Sequence, residues 1–324
     1  MTYKVGTLNS TPAKDLVDRL SVDMVANGWV LVENDYTEGI YTWDVLRSPA
    51  GLNSVGNEFF VAIGYTTTGQ TTMAWTGMKE WNTTTKRATR FLPNTANLVP
   101  DALGYNPQGA VALPSTGTQI GFRTQTLATS DSYYYSVNID RIIVSGNALG
   151  VGTLKFFWYM GLFDSIVPLA VDPMPFTFTG SFYDSTTATP ANTTAGLMLT
   201  EPGQTAANAH NFVGGALYVG TTSVNSHRWV PNWEPSGGTG AGNNLLRYTG
   251  QNLISRAYVN GRVGSMGEQT QALRGFLKDV YGIAGGVYQV GDIAEWVWGG
   301  VTYNAVILPA SATASAYKTM IGRV

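Results

Sequence analysis

From Tyr133 to Asp140 the chain alternates. Tyr133, Tyr135, Val137 and Ile139 fall on one side, and Tyr134, Ser136, Asn138 and Asp140 on the other. That period of two predicts a half-buried strand. At Arg141 the apolar phase moves to Ile142 and Val144, which predicts a bulge or a change of exposed face. The stretch SGNALGVG that follows is rich in residues that tolerate turns. A second strand is expected next. Leu154, Phe156, Trp158 and Met160 share one face, expected to be core, and Thr153, Lys155, Phe157 and Tyr159 share the other. This second face is partly aromatic, so it is expected to meet something other than bulk water.

The period changes near the start of the chain. In TPAKDLVDRLSVDMVANGW, Leu16, Leu20 and Met24 recur at four-residue spacing with Val17 beside them, the stripe of an amphipathic helix. Thr11 is the expected N-cap, Pro12 suits the first helical position, and Asn27-Gly28 is the expected C-cap. A helix over Pro12–Ala26 follows. WVLVEND then reads as a strand, and NEFFVAIGY and TTMAWTGMKEW read as two strands joined by the hairpin loop TTTGQ. NTTTKRATRFLP reads as an exposed polar segment, and Asn94 to Ser130 as long loops. DPMPFTFTGSFYD is punctuated by proline and predicts an edge strand. Thr186 to Ala209 and Val230 to Asn244 read as loops. ALRGFLKDVYGI predicts a short helix or turn, DIAEWVWGGVTYNAVILP a hairpin about Gly299-Gly300, and SATASAYKTMIGRV a terminal helix.

These patterns predict a mainly β fold: β-sandwich-like antiparallel sheets with an N-terminal amphipathic helix and few short helices. Residues 1–185 are expected to form the helix and sandwich-like domain. Residues 186–324 are expected to form a loop-rich region with a C-terminal hairpin unit, able to pack on the first as one body. The lack of a regular internal repeat argues against solenoids and propellers.

Composition changes the picture in one respect. Charged residues make up 12% of the 324, against roughly 25% in typical soluble domains. Such a neutral surface suits a subunit packed against other subunits, or one that binds neutral ligands such as glycans. A net charge of −2 argues against a nucleic-acid binder. There is no cysteine, hence no disulfide framework and no thiolate metal site. The opening MTYKVGTLNS lacks the pattern of a secretory signal, and no apolar run approaches the roughly 18 residues of a membrane helix. A soluble chain made in a cytosol is expected, with no membrane insertion.

Candidate chemistry is sparse. His210 and His227 lie in polar, loop-like surroundings without acids at metal-ligand spacing. GGTGAG (Gly237–Gly242) lacks the Lys-Ser/Thr of a phosphate loop. Asp140, Asp164, Asp172 and Asp184 cluster in sequence near the central hairpin, where a carboxylate pair could serve glycan hydrolysis. Adjacent strand residues point to opposite faces, so Asp140 and Arg141 are each expected to pair across to a neighbouring strand. The aromatic clusters Tyr133–Tyr135, Phe156–Tyr159, Trp296 and Trp298 could stack on sugars, with core and interface packing the plainer reading. Asn82 and Asn192 begin sequons of the kind any Thr/Asn-rich chain produces. No catalytic, cofactor-binding or metal-binding residue is assigned, and no cofactor.

A resemblance adds to this reading. The central block resembles a pattern of virion structural proteins of tailed bacteriophages. In that pattern an Asn precedes an Arg-containing strand, an aromatic strand ends in Tyr-x-Gly, and a Pro-rich segment ends in Gly-Ser. Here these are Asn138 and Arg141, Tyr159 and Gly161, Pro173 and Pro175, and Gly180-Ser181. VDPMP carries less tyrosine than the pattern has. Arg274-Gly275, Tyr281, Gly291-Asp292 and Gly299 to Tyr303 add a C-terminal match. TLNSTPAKDLVDRLSVDMVANGWVLVE is similar to the start of phage tail-associated proteins. The resemblance implies a non-enzymatic tail or baseplate subunit of the virion, made in the host bacterial cytoplasm. Its implied partners are copies of itself and other tail or baseplate proteins. A receptor- or glycan-binding tail adhesin is the alternative, and a glycan-degrading spike a more distant one.

Overall fold

The structure is a computed structural model. It describes residues 1–49, 58–91, 112–113, 122–148, 154–166, 176–184, 194–198, 212–214, 254–263, 270–284, 291–307 and 317–322. The chain begins with β1 (Thr2–Thr7), α1 (Pro12–Ala26), β2 (Val30–Glu38), β3 (Tyr41–Arg47), β4 (Phe60–Thr66), β5 (Thr72–Asn82), β6 (Arg87–Phe91) and β7 (Phe122–Thr126). It continues with β8 (Ser132–Asn138), β9 (Arg141–Ala148), β10 (Leu154–Leu162), β11 (Asp164–Ser165), β12 (Phe176–Asp184), β13 (Thr194–Met198) and β14 (Phe212–Gly214). It ends with β15 (Ile254–Val263), β16 (Thr270–Ala284), β17 (Ile293–Trp298), β18 (Val301–Ile307) and β19 (Tyr317–Gly322).

The fold is mainly β, with antiparallel sheets and, among the described residues, one helix. The first sheet has the order β1-β8-β9-β10-β12-β13, and the second β2-β3-β4-β5-β6 with β7 also on β5. The third runs β14-β15-β16-β19-β18-β17, with β11 also on β16. No described helix is long and apolar enough to cross a membrane.

Helix α1 has the predicted bounds, and its stripe of Leu16, Val17, Leu20 and Met24 is fully buried. Gly28 ends it at φ +93°, a backbone angle glycine adopts without strain. The start is capped differently from expectation. The Thr11 side chain makes no cap bond and instead donates to Asn9 Oδ1 (3.0 Å), while Asp15 in the first turn accepts from the Asn9 amide at 3.3 Å. Two buried acids tie the helix to the sheets. The Tyr135 hydroxyl donates to Asp23 (2.6 Å), and the Ser21 hydroxyl donates to Asp44 on β3.

One core joins the helix to the first two sheets. Tyr133, Tyr135 and Val137 enter it from β8, Ile142 and Val144 from β9, and Trp158 and Met160 from β10. Ile139 does not, because it sits in the turn after β8 and is exposed. Trp158 stacks on Trp75 of the second sheet, with ring centroids 3.6 Å apart and planes at 28°. The side chains of Leu154 and Phe156 lie outside the described residues. The other face of the central hairpin is closed too: Ile143, Ser145 and Tyr159 are buried. What covers Tyr159 belongs to this same chain, since the amide of Lys278 on β16 reaches its hydroxyl. The aromatic second face therefore needs no partner subunit at that point.

The second sheet curls until its end strands meet. Lys86 binds Glu33 (2.6 Å) and Arg87 binds Glu38 (3.1 Å), while Tyr36 of β2 packs edge-on to Trp81 of β5.

Three sequence expectations are corrected. ALRGFLKDVYGI forms part of β16 rather than a helix, because β15 and β19 pair with it from both sides. The terminal segment forms β19, paired to β16 and β18. In both, sheet partners override weak local preference. DPMPFTFTGSFYD contributes β12, which lies between β10 and β13 rather than at an edge. Both prolines precede the strand, so every residue of the strand keeps its N–H for the ladder. Of the expected loops, Asn94–Ser130 contains β7 and Thr186–Ala209 contains β13. Val230–Asn244 lies outside the described residues.

Trp158→Ala should lower the unfolding free energy by about 3–5 kcal/mol, the range for deleting a buried Trp, as read in denaturant melts. Val22→Ala, on the exposed face of α1, should change it by less than about 0.5 kcal/mol. A second test uses pH. Burial raises the Asp44 carboxyl above its ordinary 3.8, against lowering bonds from the Asp35 amide and the Ser21 hydroxyl. The folded chain thus holds this proton more tightly than the unfolded chain, so the site's contribution falls as pH rises from 3.8. Melts at stepped pH should show Asp44→Asn gaining on the natural chain as pH rises through the carboxylate range; equal slopes would contradict it.

Candidate functional site

Some of the residues singled out by the sequence, Asp140, Arg141, Tyr159 and Gly161 among them, meet where the first sheet meets the third. Arg141 opens β9 and is 3% exposed. A guanidinium stays charged inside a protein, so its burial demands carboxylates. Asp140 supplies one, its Oδ1 lying 2.9 Å from Arg141 Nη1. Asp279 of β16 supplies the second, on Arg141 Nη2. Each thus reaches across to β16 as expected, Arg141 to Asp279 and Asp140 to Lys278, and the two also pair with each other, which strand alternation did not predict. Asp140 belongs to the two-residue turn between β8 and β9, where strand alternation does not apply and neighbouring side chains can meet.

Lys278 completes the group. Its Nζ lies 2.5 Å from Asp140 Oδ2 and 3.9 Å from Asp164. Both oxygens of Asp140 are thus held by cations. A bulge brings Lys278 and Asp279 into place. Tyr258 pairs with Phe276 and Arg256 with Tyr281, so four residues of β16 oppose one of β15. A bulge of this kind re-aims side chains, and Asp279 takes φ +54° within it. The Lys278 amide finds the Tyr159 hydroxyl at 3.3 Å. That hydroxyl in turn donates to the Leu162 carbonyl. Burial pushes the Tyr159 phenol well above its ordinary range, so it remains a donor.

Two glycines permit the close approach. A Cβ on Gly161 (φ +141°) would stand 2.3 Å from the Asp140 carbonyl oxygen. One on Gly275 would stand 2.1 Å from the carbonyl of Asp164, where β11 pairs with β16. Asn138 lies beside the junction, its carbonyl accepting from the Trp29 indole at 2.7 Å.

The C-terminal hairpin forms a second feature. Gly299 (φ +59°) and Gly300 (φ +80°) make the two-residue turn that favours positive φ at both positions. Trp296 and Tyr303 stack at 5.5 Å with planes at 11°, and Tyr281 stands edge-on to Trp296. Beyond them Val297, Trp298 and Val301 are 68%, 62% and 54% exposed.

The other weighed residues do not assemble. Asp164 is exposed at the rim, and Asn82 caps its own turn by accepting from the Thr84 and Thr85 amides. Asp172, His210, His227, Asn192, Gly237–Gly242 and the Asp184 side chain lie outside the described residues. Among the described residues no group of three or more His, Asp or Glu is placed to hold a metal ion. Lys278 and Asp279 were missed from sequence because their segment reads as a helix or turn. Neither a known protein family nor a curated protein matches the chain.

Arg141→Met takes the shared cation from buried Asp140 and from Asp279, whose side chain is 28% exposed, and should destabilise by up to about 3–5 kcal/mol. Lys278→Met, at the half-buried rim, should cost less. A double-mutant cycle of Arg141 and Asp279, read in denaturant melts, should show a coupling of about 0.5–3 kcal/mol; additive losses would contradict the junction.

Proposed function

We propose that the chain is a structural subunit of a tailed-phage virion, in the tail or baseplate, acting by assembly with copies of itself and other tail proteins. The observation that carries this reading is what the residues of the resemblance do. Asn138, Arg141, Tyr159 and Gly161 come from the central block and Gly275 from the C-terminal block. All stand at or beside one junction, whose Lys278–Asp140 bond spans 138 positions of sequence. Their work is packing, close backbone approach and charge neutralisation, which is what a scaffold asks of its residues. The 12% charge and the exposed Val297, Trp298 and Val301 support a surface covered by neighbours, since exposed apolar patches mark interaction sites.

The test is the composition of purified tailed particles. Mass spectrometry should find the chain in them, and gold-labelled antibody should place several copies on the tail. A chain confined to the particle-free fraction, or one that binds or cleaves host surface glycan as a free monomer, would overturn the reading.

A further inference from the structure

We infer that β17 is a self-association edge: two copies pair antiparallel through Ile293–Trp298, with Trp296 of each copy facing its counterpart. The inference rests on the assembly reading for its occupant, a second copy of this chain.

An edge strand presents unpaired N–H and C=O groups, and proteins normally guard such edges with charge, bulges, short length or cover. The edges β1, β2, β13 and β14 carry those guards. Strand β1 holds Lys4, ion-paired to Asp23 of α1. Strand β2 has two register shifts and the acids Glu33, Asp35 and Glu38, and its ion pairs seal it against Lys86 and Arg87. The edges β13 and β14 have 5 and 3 residues. Strand β17 carries fewer of them. It is the last strand of its sheet, pairs with β18 without a register shift, and has neither proline nor Lys. Glu295 is its one charged residue.

The turn fixes which groups are free. A two-residue turn makes Trp298–Val301 a hydrogen-bonded pair, and bonded pairs then alternate along the hairpin. Ala294, Trp296 and Trp298 therefore bond to β18, opposite Ala305, Tyr303 and Val301. The N–H and C=O groups of Ile293, Glu295 and Val297 point away from β18, and among the described residues no strand meets them.

Side chains select the register. Opposed residues must share a face, so odd positions pair with odd and even with even. Centring the pair on Glu295 would set two carboxylates opposite each other, which is unfavourable. Centring it on Trp296 sets Glu295 against Val297 of the second copy and Trp298 against the small, buried Ala294. That register covers the exposed Trp298 and Val297 while extending the sheet across a two-fold axis.

The chain has no cysteine, so introduced thiols report without background. Full-length Glu295→Cys and Val297→Cys chains are purified separately, then oxidised alone and mixed. The register brings residue 295 of one copy opposite 297 of the other, at about 5.5 Å, within disulfide reach. Identical positions are offset by two residues, beyond about 7 Å. The mixture should form a disulfide-linked dimer, and each variant alone at least about tenfold less. Sedimentation should show the natural chain dimerising, and Val297→Pro, which removes one outward N–H, weakening the dimer at least tenfold (about 1.4 kcal/mol) with an unchanged far-ultraviolet spectrum. A chain that stays monomeric at millimolar concentration, a Glu295→Cys chain that cross-links alone, or a dimer indifferent to Val297→Pro would each overturn the inference. A chain present in tails but monomeric and uncross-linked in solution loses this inference and keeps the tail reading. A β17 dimer in a chain absent from particles loses the tail instead.

Discussion

Burying Arg141 is the constraint around which the molecule is organised. At 3% exposure the guanidinium has left water and can shed neither its charge nor its donors. Its carboxylates come from two places: Asp140 from the adjoining turn and Asp279 from a bulge on β16. Because those places belong to different sheets, satisfying the charge docks the third sheet on the first. Lys278 then balances the second oxygen of Asp140. The backbones approach so closely that Gly161 and Gly275 have no room for a Cβ. A buried network of this kind adds little net stability, but an arrangement that leaves one of its charges unpaired is strongly disfavoured. Here it selects how the third sheet docks on the first.

How far the sequence discloses this depends on the range of the interaction. Local patterns are readable. The 3.6-residue stripe of α1, the alternation of Tyr133, Tyr135 and Val137, and the Gly299-Gly300 turn each carry their cause within a few residues. Arg141, Tyr159, Gly161 and Gly275 were also legible as marked positions, through a resemblance, though not as members of one site. What was hidden is the non-local part. The bulge that aims Lys278 and Asp279 exists because β15 and Asp164 pair with β16, partners distant in sequence. Without them ALRGFLKDVYGI looks locally helical. The interior place of β12 and the strand β19 were hidden for the same reason, since edge or centre is decided by neighbours that no window of sequence contains.

The aromatic surplus of the central hairpin has a more domestic explanation than its composition suggests. Trp158 spends its ring on Trp75 across the main core, and Tyr159 is buried with its hydroxyl accepting from the Lys278 amide of β16. Strand β10 is buried on both faces where it is described, from Trp158 to Leu162. The demand for a partner therefore shifts from this strand to the far end of the third sheet, where the hairpin tip stays exposed.

That shift links the buried junction to the exposed hairpin. Strand β16 bears Lys278 and Asp279, and through β19 and β18 it is joined by continuous antiparallel pairing to β17. Tyr281, two residues beyond Asp279, packs edge-on against Trp296. The elements that neutralise Arg141 thus also set the position of the hairpin. A surface held this way before contact loses little conformational freedom on binding, and avoiding that loss is what preorganisation contributes to affinity. The buried charge and the apolar edge are two ends of one ladder, the first fixing the sheet and the second presenting it.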